Sequence, residues 1–374
     1  MNNNTKRQNR KDYIDGLKGI LCLLIMLGHF WNINRVCTGA SPFNLALLSF
    51  LNQSFLAKTL FVASFWLYAF LVISGYLLSK SKIRSTGDLG IGIASRFLRL
   101  FLPILGACCM IFLIQELVGF HASETSAYFT NTWFQKYYRT LLGWKDIFIQ
   151  SGKAMYASAC AFNTPFWVIS DMFATSVLMY ICSFTDHIYH KKTHLLPVIF
   201  TVVAILLDRH VMIACLVGYL LGYYEDAISK MTENAWNFLA ISAAIFSFYL
   251  FAQRQNVLPG VFDKIGLYIL WHSFFLIMLN RFHILQRVFS VKPCLLLGKI
   301  SFGIYSFHWP VICSVGSLVL IRGLEGGWGV LRTYAASFVI SLMCTVLLSV
   351  IYYFTVEKVS GHIVGWLKSQ KRKK

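Results

Sequence analysis

The sequence predicts an all-α polytopic membrane protein with about ten transmembrane helices and both termini in the cytoplasm. Three observations carry that expectation: 57% of the 374 residues are hydrophobic, only 13% are charged, and the mean hydropathy is +0.61. A soluble domain carries roughly 25% charged residues, so that class is excluded. A membrane-spanning helix takes about 20 mostly apolar residues. Ten stretches fit: 17–33, 60–79, 97–118, 163–184, 195–207, 210–224, 236–252, 264–280, 299–321 and 333–356. The fifth and sixth are short for a full crossing.

The net charge of +19 would suit a nucleic acid, yet the basic residues follow the loops rather than gathering on one segment. With the N-terminus inside, segments 1–16, 80–96, 185–194, 225–235, 281–299 and 357–374 hold 21 of the 34 Lys and Arg, and the outer loops hold about 10. That asymmetry is the positive-inside pattern of a multi-pass protein of the inner or plasma membrane, with the lipid bilayer and not nucleic acid as partner. The acidic segment 225–235 runs against the trend. Lys6, Arg7, Arg10 and Lys11 precede the first span as in a signal sequence, but no small-x-small cleavage site closes it. It therefore reads as an uncleaved anchor. Three regions result: a basic cytoplasmic tail 1–11, one membrane domain 12–360, and a basic cytoplasmic tail 361–374. The KSQKRKK end is either a retention cluster or a contact for anionic lipid.

The first span contains GLKGILCLLIMLGHFW, Gly16 to Trp31. Lys18 and His29 are eleven positions apart, which at 100° per residue puts them within about 20° of one helical face and about 16 Å apart along the axis. Asp15 lies near the same face. Ionisable groups inside a span are costly, so this stripe either faces a polar cavity or marks the two water interfaces.

In the second span, LVISGYLLSK, Ser74 with Gly75 and Tyr76 either lines a site or permits close helix packing. At the cytoplasmic mouth of the third, SRFLRLFLP puts Arg96 and Arg99 three apart on one face. Two guanidinium forks there either grip a phosphate or carboxylate or anchor the helix among headgroups. The outer stretch 119–162 holds HASETSAYFTNTWFQKYYRTLLGWKD, whose aromatic middle either stacks on sugar rings or forms an interfacial belt. In the fourth span, NTPFWVISDMF sinks Asp171 into apolar sequence, as a helix-to-helix polar lock or as a catalytic carboxylate. His272, in ILWHSFF, reads as a packing residue. In the ninth span, GKISFGIYSFHWPVI places Tyr305 and His308 three apart on one face, just before Pro310, which can kink the helix. The ten cysteines show no CxxC spacing, and no metal centre is expected; most behave as small apolar groups. Cys37 and Cys160 both fall on the expected outer side, where a pairing is open to them.

Taken together, these stretches resemble the acyltransferase 3 family of polytopic membrane acyltransferases. YIDGLKGILCLLIMLGHF is similar to that family's first-helix signature, in which a basic residue precedes a histidine by eleven positions, here Lys18 and His29. FLVISGYLL, RFLR followed by Pro103, and ISFGIYSFHWPVI resemble its later stretches in the same order. Two departures stand out. The family usually has arginine where this chain has Lys18, and lysine keeps the charge but loses the planar fork. The family often has glutamate near FWVIS, where the nearest acid here is Asp171.

The resemblance implies transfer of an acyl group, usually acetyl, from cytoplasmic acyl-CoA to a hydroxyl of a cell-surface or exported glycan. The acyl-CoA is a donor substrate rather than a resident cofactor. The resemblance further implies Arg96 and Arg99 on the CoA phosphates, His29 as base toward the acceptor hydroxyl, and Asp15 and Lys18 at the inner end of the same stripe. Ser74, Asp171, Tyr305 and His308 are the expected supporting residues. A glycan-precursor transporter or flippase would also want a polar interior, but the arginine pair is one-sided and no inverted repeat is visible.

Overall fold

The computed structural model describes residues 11–33, 61–128, 132–189, 195–231, 242 and 264–370. The expected span 236–252, apart from residue 242, and Cys37 lie outside the described residues. Among the described residues every regular element is helical. The first span becomes α1, Asp12–Ile33, with Asp12 and Asp15 in its first turn, where the helix dipole favours acids. α2, Ala63–Leu78, is apolar and carries no charged residue. α3, Thr86–Leu117, starts earlier than its expected span because Ser85 caps it. The Ser85 hydroxyl accepts the Asp88 N–H at 3.0 Å, and the Asp88 carboxylate accepts the Arg84 N–H at 3.0 Å. Arg96 and Arg99 therefore sit inside a formed helix rather than at its mouth.

The stretch 119–162 contributes α4, Trp144–Tyr156, which buries Ile147, Ser151 and Ala154 and exposes Trp144, Phe148 and Tyr156. A 3₁₀ turn, Thr164–Val168, opened by Pro165, leads into α5, Ile169–Ile188. α6, Leu195–Leu206, α7, His210–Tyr223, and the short α8, Glu225–Met231, follow. α9, Lys264–Arg281, meets α10, His283–Phe289, at a bend of 99°. α11, Lys292–Lys299, precedes α12, Ser301–Val311, a π turn Ile312–Gly316 and α13, Ser317–Glu325. α14, Val330–Tyr352, a second π turn, Tyr353–Glu357, and α15, Lys358–Gln370, form the last rod.

Among the described residues, five helical runs are long and apolar enough to cross a membrane: Asp12–Ile33, Thr86–Leu117, Thr164–Ile188, Ser301–Glu325 and Val330–Ser369. The bent α9–α10 pair would make a sixth. α2, α6 and α7 are apolar but only 16, 12 and 14 residues long. At 1.5 Å per residue they reach about 24, 18 and 21 Å, against a hydrocarbon core of about 30 Å. The expectation of ten full-length spans therefore holds for only part of the chain. Hydropathy locates apolar stretches, but it does not measure how much of each becomes helix. The last rod also runs past 360, since neither Gly361 nor Gly365 interrupts it.

Small residues set how closely the helices approach. A Cβ on Gly75 would lie 1.8 Å from the Cys215 carbonyl oxygen, and one on Gly218 would lie 2.0 Å from that of Val72. α2 and α7 thus meet backbone to backbone. α1 meets α11 in the same way, with Gly298 against the Asp15 carbonyl. α1 also packs on α2 and α12, which makes it a central rod of the bundle. A polar lock gathers at the end where α1 begins. Lys11 donates to Glu225 Oε1 at 2.7 Å and to Asn280 at 3.2 Å, Tyr76 donates to the same Oε1 at 2.7 Å, and Lys80 pairs with Oε2. Burial works against the charge on Glu225, but the hydrogen bonds from Lys11, Lys80 and Tyr76 outweigh it and hold the carboxyl down at about 2.

Candidate functional site

Three cavities follow one another along α1. The first, about 300 Å³, is lined by Lys18, Arg96, Arg99, Lys368, Tyr180 and Ser74 among others. The second, about 330 Å³, shares Phe70, Ser74, Arg96 and Arg99 with the first. It adds Tyr305, Glu357 and Ser360 to a mostly apolar wall. The third, about 270 Å³, shares Ile25, Leu67 and Tyr305 with the second and reaches His29, Tyr137, Trp167 and Trp309. Shared lining residues make them a file of adjoining cavities, termed the passage below. It begins beside Lys18 and ends beside His29, about 16 Å further along the same helix.

The end beside Lys18 is cationic. Lys18 is held by Asp15 at 2.9 Å, one turn away on α1. Arg96 donates from Nε to Ser176 of α5 at 3.0 Å, which fixes the plane of its guanidinium group. With Arg99 and Lys368, four cationic side chains border one cavity, an arrangement that suits a polyanion such as a cluster of phosphates.

The other end is aromatic and carries two imidazoles. The His29 ring stacks on that of His308 with centroids 5.2 Å apart, and lies 5.3 Å from the Trp309 ring. His308 donates from Nδ1 to the Ile304 carbonyl at 3.1 Å, so the neutral ring keeps its lone pair on Nε2. That Nε2 is buried and has no hydrogen-bond partner among the described residues. The Tyr305 hydroxyl donates to the Pro165 carbonyl, and Asn163 donates to the Ser306 carbonyl at 2.9 Å. These bonds tie α12 to the 3₁₀ turn, whose Thr164, Pro165 and Trp167 line the third cavity.

The family model described as an acyltransferase domain, that of the acyltransferase 3 family, matches residues 11–354. The chain belongs to the acyltransferase 3 family. No curated protein and no solved structure matches it. As an acyltransferase 3 protein with several membrane-length helices, it is an integral membrane acyltransferase.

Within this acyltransferase 3 chain, the residues singled out from the sequence fall mostly into one place. Lys18, Ser74, Arg96, Arg99, Tyr305 and His29 line the passage. Asp15 holds Lys18, and His308 backs His29. Asp171 stands apart: it is buried in α5, ion-paired with Arg209 just before α7, and lines none of the three cavities. That is the geometry of a lock between helices. His272 is buried with its ring centroid 4.3 Å from that of Phe65 and 6.0 Å from that of Trp66, as a packing residue would be. Cys160 lies with its sulfur 3.9 Å from that of Cys108, both as free thiols. Of the aromatic stretch 119–162, Tyr137 reaches the third cavity.

Two charged lining residues escape the sequence reading, Glu357 and Lys368. Glu357 had a signal, an acid closing the apolar run SVIYYFTVE. Lys368 had none, because KSQKRKK reads as a tail until α15 is seen to continue as helix against α3. Both lie beyond the residues that the family model matches.

Proposed function

We propose that the protein transfers an acyl group, acetyl in the first instance, from cytoplasmic acyl-CoA to a hydroxyl of a cell-surface or exported glycan. The observation that carries this reading is the passage itself, cationic at one end and bearing His29 at the other. Lys18, Arg96, Arg99 and Lys368 hold the phosphates of CoA. The pantetheine arm lies in the apolar middle cavity, and the thioester reaches the level of Tyr305 and His29. His29 takes the proton of the acceptor hydroxyl as that oxygen attacks the thioester carbonyl carbon. The C–S bond then breaks, the CoA sulfur leaves as thiolate and takes up a proton, and the new ester departs with the acceptor. His308 keeps the His29 ring in place by stacking, and the aromatic walls of the third cavity offer π faces to a sugar ring. On this reading the enzyme is an O-acetyltransferase of the cell envelope.

The test has two arms. Purified protein in detergent is assayed for acetyl-CoA turnover, and surface glycan from cells with and without the protein is compared by mass and NMR. The expected result is slow hydrolysis or transfer in the first arm and loss of an O-acetyl signal in the second. Unchanged glycan together with inert acetyl-CoA would overturn the reading.

A further inference from the structure

The proposed transfer leaves one charge in the passage without a task. Glu357 ends the second π turn, and residues Ser360, Gly361 and Val364 after it continue the wall of the middle cavity. Single π turns inside α-helices occur frequently at functional sites. The Oε1 atom of Glu357 is shielded from solvent and has no hydrogen-bond partner among the described residues. A carboxyl group inside a membrane-length helix is costly, and an acceptor left unsatisfied there adds to the cost. Arg96 and Arg99 border the same cavity yet leave this oxygen unpaired.

We propose that Glu357 binds the pantetheine arm of the donor, with Oε1 accepting a hydrogen bond from an amide N–H of that arm. The inference rests on the acyl-CoA reading above and adds a binding residue to it. Its chemistry follows from what surrounds the oxygen. The wall of the middle cavity is mostly apolar, with Phe70, Leu100 and Met172 suited to the methyl and methylene groups of the arm. An amide N–H entering such a wall loses its water and needs an acceptor. Glu357 supplies one at the depth between the cationic cluster, where the phosphates sit, and Tyr305, where the thioester sits. Among the described residues the same oxygen has no partner, so a hydrogen bond from the arm would not have to replace an existing one.

Equilibrium binding to the full-length protein in detergent separates the parts of the donor, with CoA as one probe and adenosine 3′,5′-bisphosphate, which lacks the arm, as the other. Glu357→Leu removes the acceptor and is expected to weaken CoA about tenfold or more, as loss of a hydrogen bond to a charged group does, with nucleotide affinity unchanged. Glu357→Gln keeps a weaker acceptor and should lose less. Arg96→Ala should weaken both probes. Should the leucine variant not fold, the glutamine variant decides, and unaltered CoA affinity in it would overturn the proposal. An equal loss for both probes would overturn it too, since the arm would then not be what Glu357 senses. Wild-type protein that binds the nucleotide and CoA equally well would sink the role of Glu357 alone. Wild-type protein that binds neither would sink the acyl-CoA reading with it.

Discussion

His29 gains its chemistry from position more than from identity. His272 is the same side chain in the same membrane domain, yet it is packed with Phe65 and Trp66, whereas His29 borders a cavity and stacks on a second imidazole. On the proposed mechanism, His29→Ala should lower turnover by roughly 10²–10⁴, the usual contribution of a positioned base. Donor binding should stay intact, because the cationic cluster lies at the other end of the passage. His272→Ala should turn over nearly as wild type. Steady-state assays with a binding measurement on the same preparations check this, and a His29→Ala enzyme with more than about a tenth of wild-type rate would move the base elsewhere. Arg96→Ala should raise KM for acyl-CoA by about ten- to a hundredfold with kcat largely retained, as expected when a charged hydrogen bond shared by ground and transition states is removed. Arg96→Lys should recover part of it. Equal KM values across the three proteins would return Arg96 to an anchoring role.

At the scale of single elements, helical periodicity made α1 readable. The helix keeps the register that puts Lys18 and His29 on one face, and within it Asp15 pairs with Lys18. Periodicity could not supply partners across helices. Arg209 as the partner of Asp171, and Glu357 in the same cavity wall as Arg96, depend on which helices pack together, and two π turns shift the phase of every side chain after them. α15 offers a test of the wall it forms. A Cβ added at Gly361 or at Gly365 meets nothing within 4 Å, yet only Gly361 lines the middle cavity. Replacing either glycine in a helix favours the helix by up to about 1 kcal/mol. Gly361→Leu should therefore keep or raise the melting temperature while abolishing donor binding, and Gly365→Leu should keep both. Loss of binding in both variants would mean that α15 disturbs the site by another route.

For the whole molecule, composition and loop charge established an α-helical membrane protein, and the order of motifs pointed to its family. The number of full crossings was not legible, because α2, α6 and α7 are apolar enough to resemble spans and too short to be complete ones. The lock around Glu225 was equally hidden. It joins residues 11, 76, 80, 225 and 280, which only the tertiary fold brings together. Its energetics have a pH signature. The Glu225 carboxyl falls from an ordinary value of 4.5 to about 2 in the folded protein, so its stabilisation is fully present above about 4.5 and is lost as pH falls towards 2. The difference in melting temperature between wild type and Glu225→Gln should be constant from pH 6 to 8 and shrink below about 4.5. A gap that persists unchanged at pH 3 would show that the lock does not depend on that charge.

On the proposed mechanism, the file of cavities along α1 also has an electrical consequence. A file of cavities through a membrane domain is a leak for protons and ions unless some stretch of it repels water, and apolar constrictions do so by dewetting. The apolar part of the middle cavity's wall, Phe70, Leu100, Val168, Ile169, Met172 and Phe302, has that character. It would act as the insulator that lets a thioester reach His29 while the membrane potential holds. Wetting it with the double substitution Phe70→Ser and Leu100→Ser should collapse a proton gradient in sealed proteoliposomes, and added CoA should restore the seal by filling the gap. Proteoliposomes that stay tight with the double variant would place the insulating barrier outside this cavity.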